Sequence, residues 1–243
     1  MYHRVNDDHP GDRMSVRPAA FAAQLEHLVR SRRPVLALQE AVDRLYGRGA
    51  PLPPDAVCLS FDDGYHDNLE HAAPALERFG YAATIFLVTG RMRATATIDR
   101  YEGCCDRDRA LDWDEARELE RRGHALGGHS RTHRELAFLD APSVRDEVRG
   151  CRDDLAANLA RPAPLFCYPR GSENELVRRE VVDAGFTAAV TVYPGTNDSF
   201  TSPLLLRRTE ISGDDDPADF PLKLAGAFDA WHRLWQRLRP RGA

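Results

Sequence analysis

The chain has 243 residues, 42% of them hydrophobic, and carries 38 acidic against 33 basic residues for a net charge of −5. That composition supports a sizeable core, suits one α/β domain and excludes disordered or fibrous architectures. No long basic run precedes the C-terminus, so a counterion-release mode of binding nucleic acid has no footing.

Taken in chain order, residues 2–5 read as a first strand. They lack the apolar core of a signal peptide, and no later stretch is long and apolar enough to span a bilayer. As written the chain reads as cytoplasmic; a true start upstream of Met1 would make it exported. Phe21, Leu25, Leu28 and Val29 then share one helical face. The Gly/Pro-rich stretch 47–54 leads into a second strand at 57–61. Leu69, Ala72, Ala73, Leu76 and Phe79 form another helical face, which Gly80 is placed to end. Further strands are read at 83–88, 125–128, 165–168, 188–192 and 204–208. The face of Val144, Val148, Cys151, Leu155 and Leu159 lies between the second and third of these, and a helix is read from about Ser172. Stretches 91–109 and 193–202 read as loops around a site. The closing stripe of Trp231, Leu234, Trp235 and Leu238 reads as a helix docked on the domain, with a peripheral membrane-surface helix as the lesser alternative. Alternating strands and helices imply a parallel sheet, open or closed into a barrel, with function at the strand ends.

Lys223 is the single lysine, so every other basic residue is an arginine, a bias that fits genome base composition. Cys58, Cys104, Cys105, Cys151 and Cys167 are odd in number and lack C-x-x-C spacing, which indicates neither a disulfide framework nor a zinc ribbon.

Three segments carry chemistry. In Leu59-Ser-Phe-Asp-Asp-Gly-Tyr65 an apolar strand ends in two carboxylates and a glycine. Asp62 and Asp63 can divide the work of metal ligand and base, although Asp-Gly alone is more readily ordinary turn chemistry. His129 and His133 stand four apart, a spacing that places two imidazoles on one side of a helical turn. With Asp63 they supply two nitrogens and one oxygen and leave a position open for water, as in a catalytic zinc site. The third segment, Leu165-Phe-Cys-Tyr-Pro-Arg-Gly171, is a strand ending in a Pro/Gly turn whose backbone N–H groups can face an oxyanion.

In this order, Phe61-Asp-Asp-Gly64, His129-Ser-x-x-His133 and Phe166-x-Tyr-Pro-x-Gly171 resemble the polysaccharide deacetylases of carbohydrate esterase family 4, the NodB-homology domain. Met1-Tyr-His-Arg-Val5 is similar to the opening of the branch that acts on the exopolysaccharide poly-N-acetylglucosamine. Stretches 83–87, 113–128, 183–186 and 206–208 extend the likeness to about residue 208. The resemblance implies a distorted (β/α) barrel of about seven parallel strands, with residues 1–243 as one catalytic domain and 216–240 as a helix packed on the barrel. It implies a metal-dependent hydrolase that removes N-acetyl groups from the amino sugars of a polysaccharide or smaller glycan. Asp63, His129 and His133 would be the ligands of a divalent ion, foremost Zn2+, with Co2+, Ni2+ or Fe2+ as alternatives. Asp62 would be the general base, and the backbone N–H of Tyr168 would help hold the oxyanion.

Two departures from the family pattern shape the remaining assignments. The late Leu-x-His motif that often supplies the acid is absent, and the one histidine after His133, His232, reads as helix packing. In the exopolysaccharide branch the acid histidine resembles that of the opening Tyr-His motif, so the resemblance makes His3 the candidate acid, set against a strand histidine satisfied by hydrogen bonds. Cys167 stands where many members place an arginine. Arg170 occupies a different slot; Arg208 matches the late arginine of the exopolysaccharide branch, and the resemblance makes it the candidate for orienting Asp62, against a plain ion pair. The Asp-x-x-Asp-Trp pattern of other members is missing, which weakens peptidoglycan and xylan specificities. His9, His27, His66, His71 and His124 read as surface or packing residues. Tyr65, Asp67 and Asn68 read as caps of the next helix or as supports of the site. Two other functions stay open: an O-acetyl carbohydrate esterase, and a non-catalytic carbohydrate-binding protein of the same fold. Keeping Asp62 beside all three ligands argues against the second, since binding alone needs no base.

Overall fold

The computed structural model describes residues 1–92 and 109–227. Most of the expected 91–109 loop, Cys104, Cys105 and the Trp231 stripe with His232 lie outside the described residues. Among the described residues seven strands form: β1 (Arg4–Val5), β2 (Ser15–Val16), β3 (Ser60–Phe61), β4 (Thr84–Leu87), β5 (Ala125–Gly128), β6 (Leu165–Cys167) and β7 (Ala188–Val190). The last five make one parallel sheet in the order β3-β4-β5-β6-β7, and β1 and β2 form a separate parallel pair. The large sheet is buried along almost its whole length. Helices cover parallel sheets, so their strands read as continuous apolar runs instead of alternating ones.

The ring is completed by shorter pairings than the expected strands. Tyr2 bridges to Phe61 and Leu206 bridges to Val190, both parallel. The Met1 nitrogen donates to the Thr209 carbonyl at 2.7 Å, and the Ile211 N–H donates to the Met1 carbonyl at 2.9 Å. The expected first and last strands are therefore single-residue staves that meet each other and curl the five-stranded sheet into a distorted barrel. After Tyr2 the chain turns away to pair β1 with β2, so the first stave stays short.

The helices are α1 (Pro18–Arg30), α2 (Leu38–Leu45), α3 (Ala73–Arg78), α4 (Trp113–Arg121), α5 (Ala141–Asn158), α6 (Glu175–Asp183) and α7 (Asp219–Leu224). Local chemistry sets their starts. Asp112 and Glu115 form a reciprocal capping box at α4, each side chain accepting the other's backbone N–H at 2.9 Å. Asp140 caps α5 and Asn174 caps α6, which begins three residues later than expected because Pro169 to Gly171 form a separate tight turn. A turn of π-helix (Asn68–Ala72) runs into α3, and Gly80 ends it at φ 70° as expected. Helix α2 was not read from the sequence, although Leu38, Ala41, Val42 and Leu45 share one helical face, and β2 is too short to show a period.

Packing follows the predicted faces except at Val29, which is exposed near the end of α1. Phe21, Leu25 and Leu28 of α1 are fully buried. Tyr2, Phe21 and Phe61 cluster with ring centroids 5.2–5.9 Å apart. Across the barrel, α5 buries Val144, Val148, Cys151 and Leu155 against β5. Gly128 allows this closeness, since a Cβ there would lie 2.8 Å from Cys151 Sγ and 3.3 Å from the Leu155 side chain.

Candidate active site

The two carboxylates come from the turn that ends β3. Asp63 has φ 73° and Gly64 φ 67°, successive left-handed residues that fold the chain back. Glycine adopts that geometry freely, and aspartate tolerates it better than most side chains. Asp62 and Asp63 would face opposite sides of a straight strand. Here both line one cavity of about 430 Å³.

His129 follows β5 directly, but no helical turn brings His133 beside it. The segment is a loop, with Ser130 at φ 60° and His133 at φ 63°. The Ser130 hydroxyl accepts the His133 N–H at 3.0 Å. After β4, the Thr89 and Gly90 N–H groups donate to the carbonyls of Ser130 and Arg131 at 3.1 and 2.8 Å. From α5, buried Glu147 accepts the N–H groups of Arg131 and Thr132 at 3.0 and 2.9 Å and also the Thr132 hydroxyl. These bonds satisfy the backbone outside any helix and set the loop's shape. Glu147 escaped the sequence reading; its one signal was a carboxylate on the apolar stripe between Val144 and Val148.

The donor atoms converge. Asp63 Oδ1 lies 3.4 Å from His129 Nε2 and 3.2 Å from His133 Nε2. His129 Nδ1 is 2.8 Å from the Cys167 carbonyl oxygen. A carbonyl can only accept, so Nδ1 carries the hydrogen and Nε2 is turned toward Asp63. Burial pushes the Asp63 carboxyl up, but hydrogen bonds from both imidazoles outweigh it and hold the group well below the usual carboxylate range. Burial likewise opposes charge on His129, yet its contacts with Cys167 and Asp63 hold the ring well above its usual value. Both directions express one demand: a carboxylate buried between imidazoles is stabilised by positive charge. Two imidazoles and one carboxylate oxygen are also a donor set that suits a divalent transition ion. Asp62, His129 and Cys167 form a second close group. It fits a cation less well, because both Asp62 oxygens are engaged and burial pushes the Cys167 thiol up.

Asp62 is held by Arg208. The guanidinium donates to both carboxylate oxygens, at 2.7 and 2.8 Å, and also to Ser60 Oγ, Cys167 Sγ and the Thr191 carbonyl. Both residues are buried, so the pair is no surface ion pair. Burial pushes the Asp62 carboxyl up, and the Arg208 charge and hydrogen bonds more than reverse it, keeping the group ionised. Cys167, a small side chain, lies within this contact.

His3 lines the cavity, and its Nδ1 is buried with no hydrogen-bond partner among the described residues. Asn68 and Asp67 do not cap a helix. Asn68 Nδ2 donates to the His3 carbonyl at 2.9 Å, and Asp67 accepts the Val5 N–H at 3.1 Å, so the two tether the segment that carries His3. Tyr168 is a correction. Its N–H donates to the Val190 carbonyl at 3.2 Å as part of the sheet, and its side chain is buried in the core. Two residues on, Arg170 sits at φ 54° on the cavity wall. Arg91 and Arg134 also line the cavity, unflagged by any spacing. The remaining histidines stay out of the lining: His66 is 3.1 Å from Glu115, His124 is 3.5 Å from Glu77, and His27 packs edge-on against Phe220.

Residues 49–189 match the family described as polysaccharide deacetylase. Over 212 residues the chain is 24% identical to YxkH of Bacillus subtilis (strain 168), whose name places it among polysaccharide deacetylases; the match spans 87% of this chain and 70% of that protein. The fold is similar to the Streptococcus pyogenes deacetylase PplD, solved in complex with acetate, with a TM-score of 0.80 and 21% identity over 92% of this chain and 96% of that one. It is similar also to IcaB from Ammonifex degensii, with a TM-score of 0.75 and 22% identity over 93% and 99% of the two chains. Among the described residues no helix is long and apolar enough to cross a membrane.

Proposed function

The chain belongs to the polysaccharide deacetylase family, and from that premise we propose that it releases acetate from the N-acetylated amino sugars of a glycan, with Asp62, Asp63, His129 and His133 as its working residues. One observation carries the reading: a buried carboxylate–imidazole donor set shares a cavity with a second carboxylate that Arg208 keeps ionised. Asp63, His129 and His133 would hold a divalent ion, zinc by donor type, with cobalt, nickel or iron suited to the same ligands. Bound there, such an ion supplies Lewis acidity, which lowers the pKa of water and polarises an acetyl carbonyl.

The protein's own groups do the rest. Asp62, fixed by two hydrogen bonds, accepts the proton of the attacking water. The Arg170 N–H takes the place expected of Tyr168 as a donor to the oxyanion. An amide nitrogen leaves only when protonated, and the His3 imidazole at the cavity wall is the donor for that step.

Acetate release from N-acetylglucosamine oligomers and from acetylated xylan, with and without a chelator, tests the reading. Asp62→Asn is expected to slow release by about 10²–10⁴-fold. His3→Ala should slow amide cleavage more than ester cleavage, because an alcohol needs less protonation to leave. Full activity in verified metal-free protein, or turnover of esters alone, would overturn the proposal.

A further inference from the structure

Three neighbouring strands each end in a loop that sends one arginine to the cavity wall: Arg91 after β4, Arg134 after β5 and Arg170 after β6. The chemistry above uses none of their side chains. Arg91 donates to the Thr132 carbonyl at 3.4 Å, and Arg170 lies 3.1 Å from Glu135 on the exposed rim. Arg134 is exposed and makes no hydrogen bond or ion pair among the described residues. The carboxylates lining the cavity are Asp62 and Asp63, the first neutralised by Arg208 and the second enclosed by imidazoles. The wall also has little to offer a neutral sugar by stacking: Tyr65 is its one phenyl or phenol ring among the described residues, and it is 1% exposed.

We infer that the preferred glycan carries an anionic group, carboxylate or phosphate, close to the N-acetylated sugar, and that Arg134, flanked by Arg91 and Arg170, receives it. A guanidinium presents paired N–H groups that match either anion, and its attraction for an approaching charge weakens as salt screens it. The inference rests on the deacetylase reading and names the substrate class for that same cavity.

The test compares three substrates on the metal-loaded full chain: a neutral N-acetylglucosamine oligomer, the same oligomer bearing a phosphate, and one with an adjoining uronic acid. At low salt kcat/KM is expected to favour an anionic substrate by about tenfold, mainly through KM, and the advantage should shrink in about 0.5 M sodium chloride. Arg134→Gln should narrow the preference and Arg134→Glu should reverse it; the better anionic substrate identifies the group. Calorimetric binding of the three glycans to Asp62→Asn protein gives an answer independent of turnover. Equal kcat/KM and equal affinity for all three, unmoved by salt or by Arg134→Glu, would overturn the anion inference and leave deacetylation standing. Tighter anionic binding without acetate from any substrate would support the anion site and indict the deacetylase reading.

Discussion

Asp62 and Arg208 are 3% and 9% exposed, and each is the other's main electrostatic partner. Removing one half of a buried pair leaves a charge without compensation, which costs about 3–5 kcal/mol, whereas replacing both by apolar groups is often far milder. Arg208→Leu is therefore expected to destabilise more than the double replacement Asp62→Leu with Arg208→Leu, as read from urea denaturation. Equal stability of the single variant and the wild type would show that the pair is not needed for folding. Glu147 acts one step further from the cavity. It holds the N–H groups of Arg131 and Thr132, and through them the loop that presents His133. Glu147→Ala should weaken divalent-ion affinity by about 10–100-fold, with Glu147→Gln intermediate because it keeps an acceptor oxygen. Titration with cobalt, followed by its visible spectrum, measures this without any turnover. Arg208 could be named from the sequence because its place after the last strand matched a family position. Glu147 and the Arg170 N–H could not, since both depend on left-handed backbone in loops, which no apolar period records.

At the scale of elements, the strands of the large sheet were legible because they are buried on both faces and so read as apolar runs. The helical faces of α1 and α5 were legible through their 3.6-residue period. The spacing of His129 and His133 misled as to conformation, because four residues in a tight loop and four in a helix can bring two side chains equally close. His124 shows how strand starts are joined: its Nδ1 accepts the Ala83 N–H at 3.3 Å, linking the approach to β5 with the approach to β4. Burial drives the His124 pKa below its usual value, outweighing the attraction of Glu77. The unfolded chain then binds a proton that the fold resists, so this contribution to stability is full above about pH 6.5 and is lost as pH falls toward the lowered folded value. Replacing His124 by glutamine should flatten the fall in Tm between about pH 7 and pH 5 relative to the wild type. An unchanged slope would assign that acid sensitivity to other groups.

For the whole molecule, the parallel arrangement carries the C-terminal ends of β3, β4, β5 and β6 to one rim, which places Asp63, Arg91, His129 and Arg170 around one cavity. This is why motifs far apart in sequence were legible as one site, while the count of regular strands was not: the first and last staves are single bridges tied together through Met1, Thr209 and Ile211. The donor set assembles only when β3, β4 and β5 pair and carry Asp63, His129 and His133 to one rim, so an ion that binds the three ligands binds the folded protein and not the unfolded chain. Linkage then stabilises the native state by about 2.7 kcal/mol when the free ion is at 100 times its Kd. For a chain of 243 residues, with about 2–4 °C of Tm per kcal/mol, zinc or cobalt should raise Tm by roughly 5–10 °C and a chelator should reverse the rise. Asp63→Asn should remove most of the shift, while the metal-free variant still melts cooperatively. A wild-type Tm indifferent to zinc, cobalt, nickel and iron would refute the assignment of Asp63, His129 and His133 as ligands, whatever the substrate proves to be.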